Sequence, residues 1–282
     1  ARKEVGEPMA LRDMAIGVFV HGDPIAAIRK VKSLGLDNCQ MLVPGPEWRT
    51  TEQVARILEE MRSAGVTVTC VFCGFPGESY ADIPTIRDTV GLVPEATRAE
   101  RVEMALDHAA FAKAIGAPVL AAHIGFVPDD RADPVYSAVV AAVRQICDRC
   151  AQVGLKFALE TGQERAPVLL AFLKDVDRPN LGVNFDPANM MLYGSGDPIE
   201  ALDLVGPYVI GAHCKDGDYP TQPGTLGTEY PLGQGKVGFP RVIGKLKELG
   251  YRGPLTIERE IEGEQQTKDI VAAIAMLEKI RG

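Results

Sequence analysis

Four segments of this chain end an apolar run on a residue that can hold a proton or a metal ion. KFALETGQE closes on Glu160, LGVNFDPANM on Asp186, GAHCKDG carries His213 with Lys215 and Asp216 beyond it, and LTIERE holds Glu258. Any one of these reads equally well as a cap, a turn residue or a salt-bridge partner. Four in succession ask for a common cause. Three carboxylates and an imidazole brought together would repel unless a cation sat between them. Oxygen donors with a single nitrogen suit a divalent ion such as Mn²⁺, Mg²⁺ or Co²⁺ better than a thiolate-seeking one.

Such a cluster forms only if the four segments are neighbours in space. Strand-like runs are MAIGVFV (14–20), NCQMLV (38–43), TVTCVF (67–72), VLAAHI (119–124), KFALE (156–160), LGVNF (181–185), YVIGAHC (208–214) and PLTIER (254–259). Amphipathic stretches separate them, among them TEQVARILEEMRSAG and FPRVIGKLKELG, and several end on the glycine that commonly stops a helix. Strict alternation of strand and helix implies parallel strands, and eight units imply a closed (β/α)₈ TIM barrel with its active site at the C-terminal ends of the strands. An open doubly wound sheet is the alternative, but the first turn reads FVHGDP and lacks G-x-G-x-x-G. With no compositional break, residues 1–282 are expected to form a single domain. The two long connections, 73–97 and 215–238, follow the third and seventh strands, on the face expected to carry function.

Composition narrows the partners. A net charge of −8 argues against nucleic acid. No run of 18 or more apolar residues is present, so no membrane span is expected. The leading ARKEVGEP has no apolar signal core. The pairs Cys70/Cys73 and Cys147/Cys150 both read C-x-x-C. They fall within a strand and a helix, whereas a zinc knuckle wants thiolates on tight turns, so buried free thiols in a reducing cytoplasm are expected.

On LETGQE, VNFDPANM, AHCKDG and LTIERE the chain resembles the sugar isomerases and epimerases of the xylose-isomerase-like TIM barrel superfamily. That group includes ketose 3-epimerases, inosose dehydratases and inosose isomerases. The resemblance implies one divalent ion, Mn²⁺ foremost, held by Glu160, Asp186, His213 and Glu258, with Glu160 and Glu258 as the acid/base pair. It also implies a small sugar or cyclitol substrate and a homo-oligomer. Two departures stand out. Asn189 lies where the 3-epimerases carry a histidine, and neither Gln163 nor Glu164 reproduces the spacing of their substrate-touching glutamate. The run His213–Asp216 looks more like the inosose dehydratases.

A metal chelated by a carbonyl oxygen and a neighbouring hydroxyl acidifies the adjacent C–H and stabilises an enediolate. One carboxylate removes the proton and the other returns it, giving epimerisation or isomerisation. Loss of a hydroxyl or alkoxide instead makes the enzyme a lyase or dehydratase on an inosose or 3-keto-glycoside. His123, Gln163, Asn189, Lys215 and His21 are the expected substrate contacts, with Trp48 and Phe75 or Tyr80 as an apolar wall. Lys215 alternatively pairs with Asp216 or another rim acid. The acidic REIEGEQQ after the last strand is a poor phosphate cradle, which favours an unphosphorylated substrate. Four histidines are too few for the three-zinc nucleases of the superfamily. A non-catalytic sugar-binding subunit would have no need of two opposed glutamates.

Overall fold

The structure, a computed structural model, describes residues 11–282. The leading ARKEVGEP lies outside the described residues. Among the described residues ten strands form: β1 (Ile16–Val20), β2 (Asn38–Leu42), β3 (Thr67–Phe72), β4 (Val119–Ala122), β5 (Lys156–Glu160), β6 (Leu181–Phe185), β7 (Val209–Cys214), β8 (Asp216–Gly217), β9 (Glu229–Tyr230) and β10 (Leu255–Ile257). Eight are parallel and close into a barrel in the order β1-β10-β7-β6-β5-β4-β3-β2. Closure comes from β1, which pairs with β2 through Val18↔Cys39 and with β10 through Ile16↔Leu255. The expected (β/α)₈ barrel therefore forms. The short strands β8 and β9 make an antiparallel ribbon inside the 215–238 connection.

Side chains alternate between the two faces of a strand, and the chain uses that period consistently. Cys39 and Met41, Phe157 and Leu159, Val183 and Phe185, and Leu255 and Ile257 face the helices and join the main core. The other parity points into the barrel, where Cys70, Phe72, Ala121 and Ala158 form a separate small cluster against Phe19, Leu42, Val119 and Ile210. Asn38, Gln40, Asn184 and Thr256 are buried polar residues of the same inward set. Continuing that parity to the C-terminal mouth reaches Glu160, Asp186, His213 and Glu258. The fold thus delivers the four donors by counting in twos.

Helices start by a repeated device. Asp23, Asp133, Asp186 and Asp197 each precede a proline and cap the helix that follows by accepting backbone N–H bonds. Proline at the first helical position costs no hydrogen bond, and an Asp cap satisfies donors left open by the first turn. Two helices were not expected from the sequence: Ile83–Thr89, inside the loop after β3, and Pro187–Leu192, immediately after β6. Among the described residues, no helix is long and apolar enough to cross a membrane. All six cysteines are buried and free. Burial pushes the Cys147 and Cys150 thiols up to about 12, as inert core residues rather than thiolate ligands.

The loop after β3 is pinned to the end of β4. Leu92 and Val93 donate to the Ile124 carbonyl at 2.8 and 3.2 Å, and Glu78 accepts from Phe75 at 3.1 Å and from Gly91 at 2.8 Å. Gly91 has φ +75°, and a Cβ there would lie 2.1 Å from the Ile124 carbonyl carbon. Gly91→Ala is therefore expected to destabilise the protein by about 2 kcal/mol or more. The urea midpoint of the variant measures this, and an unchanged midpoint would contradict the packing described.

Candidate metal centre

The four donors come from consecutive neighbours around the barrel: Glu160 ends β5, Asp186 follows β6, His213 lies in β7 and Glu258 follows β10. One ligand atom from each lies within 4.8 Å of all the others. His213 Nδ1 sits 3.3 Å from Glu160 Oε1, 3.7 Å from Asp186 Oδ2 and 3.1 Å from Glu258 Oε2. Asp186 Oδ2, His213 Nδ1 and Glu258 Oε2 are buried and have no hydrogen-bond partner. Buried polar atoms are normally satisfied, so three unsatisfied ones converging on one point mark a place for a cation. The quartet could hold a divalent metal ion, and its hard donor set fits one.

Electrostatics agree. Burial pushes the Asp186 carboxyl up to about 6, against the pull of His213 and Lys215. Burial would lower His213, but Glu160 and Glu258 outweigh it and hold the imidazole protonated well above its ordinary range. The cluster carries more negative charge than Lys215 can neutralise, so it retains a proton where a cation would serve. Metal binding would displace that proton.

Each donor is held from behind. Asp186 does two jobs with its two oxygens: Oδ1 accepts from Asn189 N at 2.9 Å as the helix cap, and Oδ2 faces the cluster. Glu160 Oε2 accepts from Asn184 Nδ2 at 2.9 Å, and Oε1 accepts from Asn189 Nδ2 at 3.1 Å. His213 Nε2 lies 2.9 Å from Gln40 Oε1, and Gln40 Nε2 donates to Asn184 Oδ1 at 3.0 Å. Asn184 Nδ2 lies 3.0 Å from the same Nε2, so both amides hold this ring nitrogen and Nδ1 is the one that faces the cluster. The network fits because β7 has glycine beside it: a Cβ at Gly211 would lie 2.3 Å from Asn184 Oδ1.

A cavity of about 460 Å³ opens over the quartet, lined in part by Phe19, Phe72, Tyr80, Tyr193, His123 and Asn189. Gln163 Nε2 approaches His123 Nδ1 at 3.3 Å, which leaves His123 Nε2–H aimed at the site, 3.6 Å from Glu160 Oε1. Gln163 itself is buried behind His123 and does not line the cavity. Lys215 is fully buried; its Nζ donates to Asn189 Oδ1 at 3.1 Å, pairs with Glu260 and lies 3.4 Å from Glu258 Oε2. It does not pair with Asp216, whose carboxylate instead accepts from Gly217, Gly233 and Val237 at 2.9, 2.8 and 3.1 Å. Lys215, between β7 and β8, turns inward beside Glu258 and Asn189, whereas the Asp216 carboxylate is taken up by these backbone amides.

His21 is not brought into this cavity. β1 ends at Val20, the chain turns at Gly22, and His21 is left exposed in a separate cleft with Lys30, Glu262 and Gln266. Trp48 ends the short 3₁₀ turn Pro46–Trp48 and lies outside the cavity, whereas Phe75 and Tyr80 line it. Sequence reasoning missed Gln40, Asn184, Phe19, Phe72 and Tyr193. The signal for the first two was a polar residue at an inward position of a strand.

Comparison with known proteins agrees with this geometry. Residues 28–280 match the family described as Xylose isomerase-like TIM barrel. The chain belongs to that family. Its fold superposes on a xylose isomerase domain protein from Planctomyces limnophilus with TM-score 0.92 and 44% identity, covering 95% of this chain and 98% of that one. An L-ribulose 3-epimerase from Methylomonas sp. (strain DH-1) is 32% identical over 133 residues, covering 42% of this chain and 40% of that protein. The probable 3-DHS dehydratase from Bacillus anthracis shares the fold at TM-score 0.68 and 18% identity, covering 95% of this chain and 100% of that one. As a member of this family the chain is an enzyme of the xylose isomerase-like superfamily.

Two outcomes follow. Gln40→Ala removes a partner that orients the His213 ring, and Mn²⁺ affinity is expected to fall about 10–100-fold in calorimetric titration; unchanged affinity would mean Gln40 does not orient the ligand. The second concerns Glu164, buried with only a long 3.4 Å bond from Val127 N, where burial pushes the carboxyl up to about 7. A raised carboxyl favours its neutral form in the fold, so this stability is present below about pH 4.3, the unfolded value, and is lost as pH rises through about 7. Glu164→Gln is expected to match the parent near pH 4 and to exceed it above pH 7, by about 1–3 kcal/mol, in denaturation measured across pH.

Proposed function

We propose that the protein is a divalent-metal-dependent isomerase or epimerase of an unphosphorylated keto-sugar or polyol, with Mn²⁺ foremost and Mg²⁺ or Co²⁺ as alternatives. The observation that carries this reading is an asymmetry within the quartet. Of the four converging donors, only Glu160 and Glu258 also line the cavity; Asp186 and His213 lie behind them. The two carboxylates that reach substrate space therefore flank the candidate metal position from strands β5 and β10.

A divalent ion held by the four residues would polarise a substrate carbonyl and its neighbouring hydroxyl. On this reading one glutamate takes the proton from the adjacent C–H and the other delivers a proton to the opposite face, which inverts the centre. Delivery to the neighbouring carbon interconverts aldose and ketose. Asn184 and Asn189 hold Glu160 in one orientation, so its lone pairs are aimed before substrate arrives. His123 Nε2–H and Asn189 are placed to grip hydroxyls, and the rings of Phe19, Phe72, Tyr80 and Tyr193 offer an apolar wall to the C–H face of a sugar ring. The charged side chains lining the cavity besides the ligands, Glu78, Glu229 and Glu260, are all acidic, which supports a substrate without phosphate.

One observation favours a second reading, a lyase acting on an inosose or 3-keto-glycoside. Lys215 is a buried ammonium placed beside Asn189 and Glu258, and Glu258 and Glu260 hold it charged. Lys215 does not line the cavity, so on this reading its charge would act across Asn189 and Glu258 to stabilise the enediolate formed when a carboxylate takes the neighbouring proton.

Incubation of Glu160→Gln and Glu258→Gln variants with a keto-sugar panel in D₂O separates the roles. The variant lacking the abstracting base is expected to lose solvent exchange at the substrate C–H, and turnover is expected to drop about 10²–10⁴-fold. The variant lacking only the returning acid keeps exchange but yields no product. Near-normal turnover in both at full metal occupancy would sink the two-carboxylate mechanism, and loss of water or aglycone in the parent would favour the lyase.

A further inference from the structure

The loop that carries Glu258 alternates its side chains with some economy. Glu258 points into the quartet, Glu260 pairs with Lys215, and Arg259, between them, faces away from the centre. Its guanidinium is held between two carboxylates. Nη1 lies 2.9 Å from Glu229 Oε1, on strand β9 of the ribbon, and Nε donates to Asp269 Oδ2 at 2.8 Å, on the helix Glu264–Arg281. All three side chains are at least 87% buried. Glu229 also accepts from Glu260 N at 3.1 Å, and Gln266 Nε2 donates to the Arg259 carbonyl at 3.0 Å.

The ribbon has a second attachment on the other side of the cavity. Gly227 N donates to the Leu192 carbonyl at 2.8 Å, at the end of the helix that Asp186 caps. Leu226, Gly227 and Glu229 all line the cavity. The 215–238 connection thus bridges the mouth, tied on one side to the helix after β6 and on the other to the loop after β10. Each tie ends within a few residues of a ligand of the quartet.

A buried ion pair is poor evidence of stability, because desolvating both charges cancels much of their attraction. A buried Glu–Arg–Asp triad is better understood as a device that fixes geometry. We propose that Arg259, clamped by Glu229 and Asp269, is a positioning residue that latches the ribbon across the cavity and sets the direction in which Glu258 meets the metal. Glu229 serves as the latch on the ribbon side. Opening the mouth to exchange substrate and product then requires parting of the Glu229–Arg259 contact, and the backbone on either side of Arg259 carries that movement to Glu258. This inference rests on the metal reading of the quartet and not on any one substrate.

Glu229→Gln is the main test, since its amide oxygen can still accept from Glu260 N while the charge pairing is lost. Two readouts besides activity decide the matter. Amides of the ribbon, 216–230, are expected to exchange with solvent at least about ten-fold faster, with the amides of β5 and β6 unchanged. Mn²⁺ affinity is expected to fall about 10–100-fold. Arg259→Lys keeps the charge but cannot serve both carboxylates, and should give intermediate values of both; it also covers the case in which the glutamine variant fails to fold. Asp148→Asn, which breaks an exposed pair with Arg178, should change neither. Unaltered ribbon exchange, or unaltered Mn²⁺ affinity, in a folded Glu229→Gln or Arg259→Lys variant overturns the latch. If both change as expected but the parent turns over no keto-sugar or inosose, the latch stands and the proposed reaction falls.

Discussion

Three carboxylates and an imidazole buried within a few ångströms of each other set the terms for everything around them. Unpaired, such charges would cost several kcal/mol each. The protein offsets this locally with Lys215 and with three amides: Asn184 and Asn189 donate to Glu160, Gln40 Oε1 meets His213 Nε2, and Asp186 Oδ2, His213 Nδ1 and Glu258 Oε2 are left without a partner. The arrangement is half a site by design. Its remaining charge could be met by a divalent cation, and the rings of Phe19, Phe72, Tyr80 and Tyr193 line the cavity above it.

The barrel supplies what this constraint demands. Eight parallel strands bring eight chain ends to one rim, and inward parity selects one residue in two at each of them. No single strand could present four donors to a point; four adjacent strands each need to present only one. Asp186 shows how little extra structure is required. The Asp–Pro cap that starts three other helices in this chain starts a fourth at the barrel mouth, and its second oxygen faces the cluster.

Much of this could be read from the sequence, for physical reasons. The strand and helix periods are strong signals, and Glu160, Asp186, His213 and Glu258 stood out because each ends an apolar run with a charge. Gln40 and Asn184 did not, because a single polar residue within a strand gains meaning only once its partner across the barrel is known, and they are separated by 144 positions in the chain. His21 was drawn in by type and by proximity to a strand end; one turn of backbone at Gly22 carried it to the rim. The sequence left Lys215 open to Asp216 or another rim acid, and the choice of Glu260 depended on a loop whose path no local pattern encodes.

Gly211 has a bearing on how this protein can change. A side chain there would collide with Asn184, and Asn184 holds Glu160 while leaning on Gln40. No one of these positions can vary alone without disturbing a ligand, and the single-step routes between alternative triplets pass through sequences with a damaged centre. These three positions are therefore constrained as a unit. New substrates are more readily accommodated where the walls are built from loop residues, such as Tyr80 and Leu226. Diversification in such a lineage would be written in its loops, over a centre inherited whole.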